Sequence, residues 1–206
     1  MILAASYSFA QGKGSPVKAF QWTPKATELR LAMRSLWEGH IFWVRNVVLT
    51  TKLGDTAAAK TEEDQVVRNA RQIANAVVPY YGKDAGEKLF NLLAGHYGAI
   101  KDCMNAVYSG NKKAEEAAMA KMTKNADEIA TFLSSANPNW PKTALLSALA
   151  AHGGYHMAQI NAIHAKDFSS EAKTWEAMKD QVYGIADTLT EGIVKQFPQR
   201  FGEPTV

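Results

Sequence analysis

Apolar residues recur at helical spacing from Pro24 to Gln199, and no stretch shows the alternation of a half-buried strand. Glycine, proline and capping residues interrupt this pattern at similar intervals. The pattern therefore predicts six helices and an all-α fold. The first five helices span about 24–53, 57–80, 84–109, 112–135 and 141–165, and the sixth follows the capping residues Ser169 and Ser170 and ends at Phe197.

Pairs of these helices form a unit that repeats every 56 residues. Segments 25–80, 81–136 and 137–192 superpose without gaps and share identities such as Gly54/Gly110 and Asn69/Asn125. We therefore predict an all-α helical bundle built from three tandem antiparallel helical hairpins, forming one domain over 24–206. A four-helix bundle with two accessory helices is the alternative.

One histidine occupies the same position in every unit, as His40, His96 and His152. At about 100° per residue, each lies near the centre of the apolar stripe of an outgoing helix. His156 lies one turn after His152 on the same stripe, which is the spacing of helical metal-ligand pairs. The fifth histidine, His164, falls at the flank of that stripe.

A single buried histidine is more often a hydrogen-bonded core residue than a metal ligand. Three equivalent ones differ, because their helices run parallel and place the imidazoles at the same height. We predict a transition-metal site with the ligands His40, His96 and His152, and with His156 as a fourth ligand or hydrogen-bond partner. Zn, Cu, Fe and Ni all accept such nitrogen ligands. Imidazole nitrogens more than about 6 Å apart would exclude one shared ion.

Two other functions fit the same pattern. A haem or other small ligand could use two of the histidines, with Trp37, Phe42 and Trp43 lining its pocket instead of forming core. A structural or partner-binding module would keep all the histidines as hydrogen-bonded core residues. An open metal position would permit redox or hydrolytic chemistry, but no general base is identifiable, so we assign no enzyme class.

The remaining polar residues are predicted to lie away from the site. Glu128 and Asp187 lie about 140–160° from the apolar stripes, which predicts that both carboxylates lie in solvent. For Asp187, a position facing the ring of inner helices is the alternative. Asn69, Asn125 and Gln181 lie at the stripe edges, where boundary polar residues are expected. A hydrogen bond from these amides to a histidine or to the backbone is the alternative.

Composition excludes several classes of function. The net charge is +3, but the Lys and Arg residues are scattered and no basic run is interleaved with aromatics, so no nucleic-acid partner is predicted. The single cysteine, Cys103, rules out an intrachain disulfide and is expected to act as a small core hydrophobe. No stretch approaches the roughly 18 apolar residues of a membrane span.

The first eleven residues, MILAASYSFAQ, are small and apolar, and Ser8-Phe9-Ala10 fits an A-x-A-like cleavage site. A flexible GKGSP segment follows directly. We therefore interpret residues 1–23 as an N-terminal tail whose apolar start is the remnant of a signal peptide, with a disordered apolar terminus as the alternative. This predicts a periplasmic or secreted protein, with a cytoplasmic one as the alternative.

Several stretches, among them LWEGHIFWVRNV (36–47), LLAGH (92–96) and NADEIATFLSSANPNWP (125–141), resemble a family of small bacterial all-helical proteins. Members often carry an export signal and have no assigned function. Some are labelled glycosyltransferase, which would require a nucleotide-binding α/β domain that this helical pattern does not predict. The resemblance covers nearly all of the chain after residue 25 and implies a helical, exported protein.

Overall fold

The structure, a computed structural model, describes residues 20–202. Over this range the chain forms six α-helices and a short 3₁₀ helix, and it contains no β-strand. The helices are α1 (Pro24–Leu53), α2 (Thr56–Tyr81), α3 (Lys83–Ser109), α4 (Lys112–Ala136), α5 (Lys142–Ala165) and α6 (Phe168–Gln196), and the 3₁₀ segment is Pro198–Arg200. The predicted all-α class is confirmed, and most helix ends lie within about one or two residues of the predicted ones.

Each outgoing helix passes into its returning helix through the same tight turn. A residue in the left-handed region ends the outgoing helix, and the next residue caps the returning one. The left-handed residues are Gly54, Gly110 and Lys166, with φ of 78°, 66° and 60°. The caps are Asp55, Asn111 and Asp167, whose side chains accept from the backbone N–H three residues later. Such a turn folds the two helices back on each other as a hairpin.

The start of α6 differs from the prediction. Asp167 is the capping residue, because its Oδ1 accepts from the backbone nitrogen of Ser170 at 3.0 Å. Ser169 and Ser170 lie inside the first turn of the helix instead of before it. The predicted start was therefore wrong by two or three residues, because an aspartate caps a helix as well as a serine does.

The three hairpins close into a single bundle. α1 packs on α2, α3 on α4 and α5 on α6, while each returning helix also packs on the next hairpin and α6 packs on α1. α1, α3 and α5 meet along the centre. All six helices thus belong to one arrangement, and none is accessory as in the four-helix alternative. The origin of the hairpins in a 56-residue sequence repeat stays a prediction.

Two apolar clusters fill the bundle, on either side of the histidines along the inner helices. The larger contains Trp37 and Leu93, and the smaller contains Ile100, Ile163 and the predicted core thiol of Cys103. One core prediction is wrong, because Phe42 is 43% exposed. It lies two residues from His40, about 200° around the helix, and so points away from the centre.

None of the helices in residues 20–202 carries an apolar stretch that could cross a membrane. The predicted signal-peptide remnant and its cleavage-like triplet fall within residues 1–19, which lie outside the described range.

Candidate metal centre

Four imidazoles converge at the centre of the bundle, supplied by α1, α3 and α5. Each of His40, His96, His152 and His156 offers a ring nitrogen, and these four nitrogens all lie within 4.8 Å of one another. The rings are buried, with exposed fractions of 6%, 3%, 1% and 1% respectively. The three equivalent histidines therefore lie close together as well as at the same height in the bundle. The distances between their ring nitrogens are below the 6 Å limit for a shared ion.

The cluster holds its imidazoles in the neutral form. Burial lowers the pKa of His96 to about 4. Burial and the neighbouring His96 lower the pKa of His152 to about 3. For His40 and His156, burial and then the other imidazoles lower the pKa well below its ordinary value. A metal ion binds the neutral ring through its lone pair, so the cluster needs no deprotonation at neutral pH before it can bind.

The state of His152 follows from its hydrogen bonds. Gln181 Nε2 donates to the Ala148 carbonyl oxygen at 2.9 Å, which leaves Gln181 Oε1 as an acceptor for His152 Nδ1 at 3.2 Å. His152 therefore carries its proton on Nδ1, and its Nε2 lone pair faces the cluster. His156 Nε2 lies 3.1 Å from that atom and donates to it. Metal-ligating histidines typically donate the N–H of their other ring nitrogen to an oxygen acceptor, and Gln181 Oε1 supplies such an acceptor here.

The amides at the equivalent positions make the same backbone contact. Asn69 Nδ2 donates to the Leu36 carbonyl oxygen at 2.9 Å, and Asn125 Nδ2 donates to that of Leu92 at 3.0 Å. Both asparagines are buried, so their interpretation as boundary residues is wrong. Each donates to the residue four positions before the histidine of its hairpin, as Gln181 does.

Asparagine is one methylene shorter than glutamine, and this difference matters at the histidines. Within residues 20–202, Asn69 Oδ1 and Asn125 Oδ1 have no donor, and both ring nitrogens of His96 have no partner. His40 Nε2 is also buried without a partner in that range. Unpaired buried polar atoms cost about 1–3 kcal/mol each, and native proteins contain few of them. The unpaired ring nitrogens thus lie within the group of four histidines that could hold a metal ion.

The two carboxylates assigned to solvent behave differently. Glu128 is half exposed and lies 3.7 Å from Lys124, as expected for a solvated side chain. Asp187 is only about a quarter exposed, with a side-chain exposure of 24%, and it accepts paired hydrogen bonds from both Arg30 and Arg34 of α1. Burial alone would raise its pKa, but the two guanidinium groups outweigh this effect and hold the pKa at about 2. It therefore joins α6 to α1 and takes no part in the histidine cluster.

One buried carboxylate within residues 20–202 was not predicted at all. Glu171, in the first turn of α6, is 2% exposed and accepts two hydrogen bonds from Arg45 of α1. Gln159, one turn after His156 on α5, also donates to it at 3.2 Å. A glutamine on the apolar stripe of α5 was the available signal, because a buried amide requires a polar partner.

His164 lies apart from the cluster. It is exposed near the end of α5, where its Nδ1 lies 3.3 Å from Lys52 Nζ and its ring stacks on Tyr108. The metal-site prediction did not include it, and it provides a natural control for experiments on the other four.

No family model, curated protein or solved structure matches this chain. The fold and the site therefore define its class on their own. It is an all-α helical bundle with a buried cluster of four histidines at its centre.

Proposed function

We propose that the protein binds one transition-metal ion through His40, His96 and His152, with His156 completing or supporting the site. The observation that carries this proposal is the approach of four neutral imidazole nitrogens to within 4.8 Å of one another. Around an ion with bonds of about 2.0–2.1 Å, tetrahedral ligands would be about 3.3–3.4 Å apart. Side-chain adjustments of about 1 Å would bring the four nitrogens to that geometry.

The donors support a bare ion from the group Zn, Cu, Ni and Fe. An all-imidazole set suits each of these metals and offers neither thiolate nor carboxylate to favour one of them. A haem is less well supported, because a macrocycle needs an open plane between two axial ligands. Here the ring centroids of His152 and His156 are 4.5 Å apart, and the ring centroid of His40 lies 5.6 Å from each of them. These rings lie too close together to leave such a plane.

The proposal concerns binding and assigns no reaction. Within residues 20–202, the cluster contains imidazoles alone, without a carboxylate that could serve as a general base.

The second part of the proposal is that the protein is located outside the cytoplasm. That part rests on the apolar segment MILAASYSFAQ and on the resemblance to an often exported helical family. Fractionation of cells that express the full chain, with sequencing of the mature N-terminus, would test it.

Metal content and affinity test the binding proposal directly. We expect purified protein to take up one equivalent of Zn²⁺, Cu²⁺, Ni²⁺ or Fe²⁺ per chain, measured by elemental analysis and isothermal titration. Replacing His96 by Ala removes the α3 ligand and is expected to weaken binding by about 100-fold or more, beyond the usual loss for a supporting residue. The matched control His164→Ala removes an imidazole outside the cluster and should bind as the parent does. Unchanged uptake by His96→Ala would contradict the proposal.

The role of His156 can be separated from that of the other three. If it is a fourth ligand, the Co²⁺-substituted protein should show the intense visible bands of a tetrahedral ion, and His156→Gln should weaken them. If it only supports His152, the bands should be unchanged while the affinity falls by about 10-fold to 100-fold.

A further inference from the structure

An apolar cavity of about 490 Å³ lies inside the bundle and adjoins the histidine cluster. Its wall is formed by the larger apolar cluster and includes Trp37, Leu93 and Ile185, while His40 and His96 form part of the same wall. The cavity therefore ends at the proposed metal centre.

A space of this size is unusual for the interior of a protein. Interiors are packed as densely as organic crystals, with few voids larger than one water molecule. Ordered water needs two to four polar partners, and most residues in this wall are apolar. Its volume lies within the about 300–1,000 Å³ of small-molecule sites. An organic molecule with mainly apolar surface fits the cavity better than water does.

The polar groups of the wall restrict the ligand further. The cavity wall, as far as the chain is described, contains no Asp, Glu, Lys or Arg, so a charged group would lose its hydration without gaining a partner. Trp37 is 6% exposed, and its indole Nε1 finds no acceptor within residues 20–202. A neutral ligand with one acceptor oxygen would satisfy this N–H.

The wall also reaches the surface between α5 and α6. Ala144, Ser147 and Ala151 of α5, and Gly184 and Thr188 of α6, line the cavity and are themselves exposed. These side chains are small, and a Cβ built at Gly184 meets no atom within 4 Å. The two helices thus leave a narrow opening from solvent to the cavity.

We propose that this cavity binds a neutral, largely apolar organic molecule with an acceptor oxygen, which enters between α5 and α6. The proposal rests on the proposed metal function only for what the bound molecule meets at the inner end, since the apolar wall itself needs no ion. With an ion present, the molecule lies beside the metal centre.

The probe for the first measurement is Nile red, a neutral dye with a carbonyl oxygen, titrated into metal-free protein and into protein loaded with Zn²⁺. We expect saturable binding with one site and increased fluorescence in both forms. Because the wall is uncharged, 2-decanone should displace the dye at a concentration about 10-fold lower than decanoate does. Failure of the dye to saturate in either form, or equal displacement by the ketone and the carboxylate, would overturn the proposal.

Blocking the opening is the second test. Gly184→Trp places a large ring at the opening and is expected to weaken dye binding by about 10-fold or more. The matched control is Gly154→Trp, because Gly154 is also helical and exposed, its Cβ meets no atom within 4 Å, and it does not line the cavity. Ala144→Trp is a second blocking variant on α5, used if Gly184→Trp loses helical content. Equal dye affinity in blocking and control variants would contradict the proposed route.

The donor at Trp37 is tested by Trp37→Phe, which keeps an aromatic ring and removes the N–H. It should lower the affinity for 2-decanone several-fold and leave that for decane unchanged, whereas equal losses would exclude the hydrogen bond.

The outcomes of these measurements also distinguish the cavity proposal from the metal proposal. Dye binding that Gly184→Trp blocks, in a protein that takes up no metal, supports the cavity and removes the metal function. Metal uptake without dye binding supports the metal function and removes the cavity proposal.

Discussion

Single side chains set the chemical state of the histidines. Gln181 fixes the proton of His152 on Nδ1 because its own amide is fixed by the Ala148 carbonyl. The shorter Asn69 and Asn125 make the same backbone contact, but within residues 20–202 their Oδ1 atoms have no hydrogen-bond donor. The extra methylene of Gln181, compared with Asn69 and Asn125, thus distinguishes His152 from His40 and His96.

Acid sensitivity follows from the buried neutral rings. Folding lowers the pKa of His96 to about 4 and that of His152 to about 3, from 6.5. Below pH 6.5 the unfolded chain therefore binds protons that the folded chain does not, so stability falls as the pH decreases, to about pH 4 for the His96 contribution and to about pH 3 for that of His152. Each such histidine contributes about 1.4 kcal/mol per pH unit when fully shifted. Urea unfolding of the metal-free protein at pH 7, 6 and 5 measures the slope.

The variant His96→Gln provides the comparison for this slope. It removes one buried titrating ring and keeps a polar side chain, so its stability should depend less steeply on pH than that of the parent. Parallel curves for the two proteins would show that His96 is not held neutral by the fold.

At the scale of the helices, the turns decide how the hairpins close. Two of the three left-handed positions hold glycine, which adopts positive φ without strain, whereas the third holds Lys166 at φ 60°. The lysine keeps the turn because the Asp167 cap and the packing of α5 on α6 determine the backbone there. The third hairpin thus stores strain that the others lack.

Exchanging these residues should change stability in opposite directions. A side chain in the left-handed conformation costs about 1–2 kcal/mol. Lys166→Gly is therefore expected to stabilise the protein by about 1 kcal/mol, and Gly110→Ala to destabilise it by about the same amount, in chemical denaturation. Both sites are exposed, and a Cβ at Gly110 meets no atom within 4 Å, so packing does not confuse the comparison. The same sign for both substitutions would contradict the strain argument.

At the scale of the whole molecule, the histidine cluster joins the three hairpins. Its histidines come from α1, α3 and α5, so the proposed ion would link segments far apart in sequence. Such a link would exist only in the folded chain, so the proposed metal binding would contribute to folding stability.

Saturating metal should therefore raise the thermal unfolding temperature of the entire bundle in one transition. At a free metal concentration of about 1,000 times the dissociation constant, the gain is about 4 kcal/mol. Far-ultraviolet circular dichroism with and without a chelator measures it. His164→Ala should gain as much as the parent and His96→Ala much less, whereas an equal gain in His96→Ala would place the bound metal elsewhere.

The helices and the inward direction of the histidines could be predicted because both depend on local spacing. The helical spacing of apolar residues, together with the glycine, proline and capping residues that interrupt it, located the helix ends. The same spacing placed His152 and His156 on one apolar stripe of α5. The ion pairs of Glu171 and Asp187 could not be predicted in this way. Their partners, Arg45 for one and Arg30 and Arg34 for the other, lie 126 and more than 150 residues away, on a helix that α6 meets only when the bundle closes.

By itself, the sequence determined the six helices, the hairpin order and the equal heights of His40, His96 and His152, because those features follow from chain geometry over one or two turns. Only the tertiary structure decided that the three inner helices lie side by side around one central axis. A stacked array of the same hairpins would keep every local feature and separate the imidazoles. Closure of α6 onto α1 makes the difference, since it turns a row of hairpins into a ring with one centre.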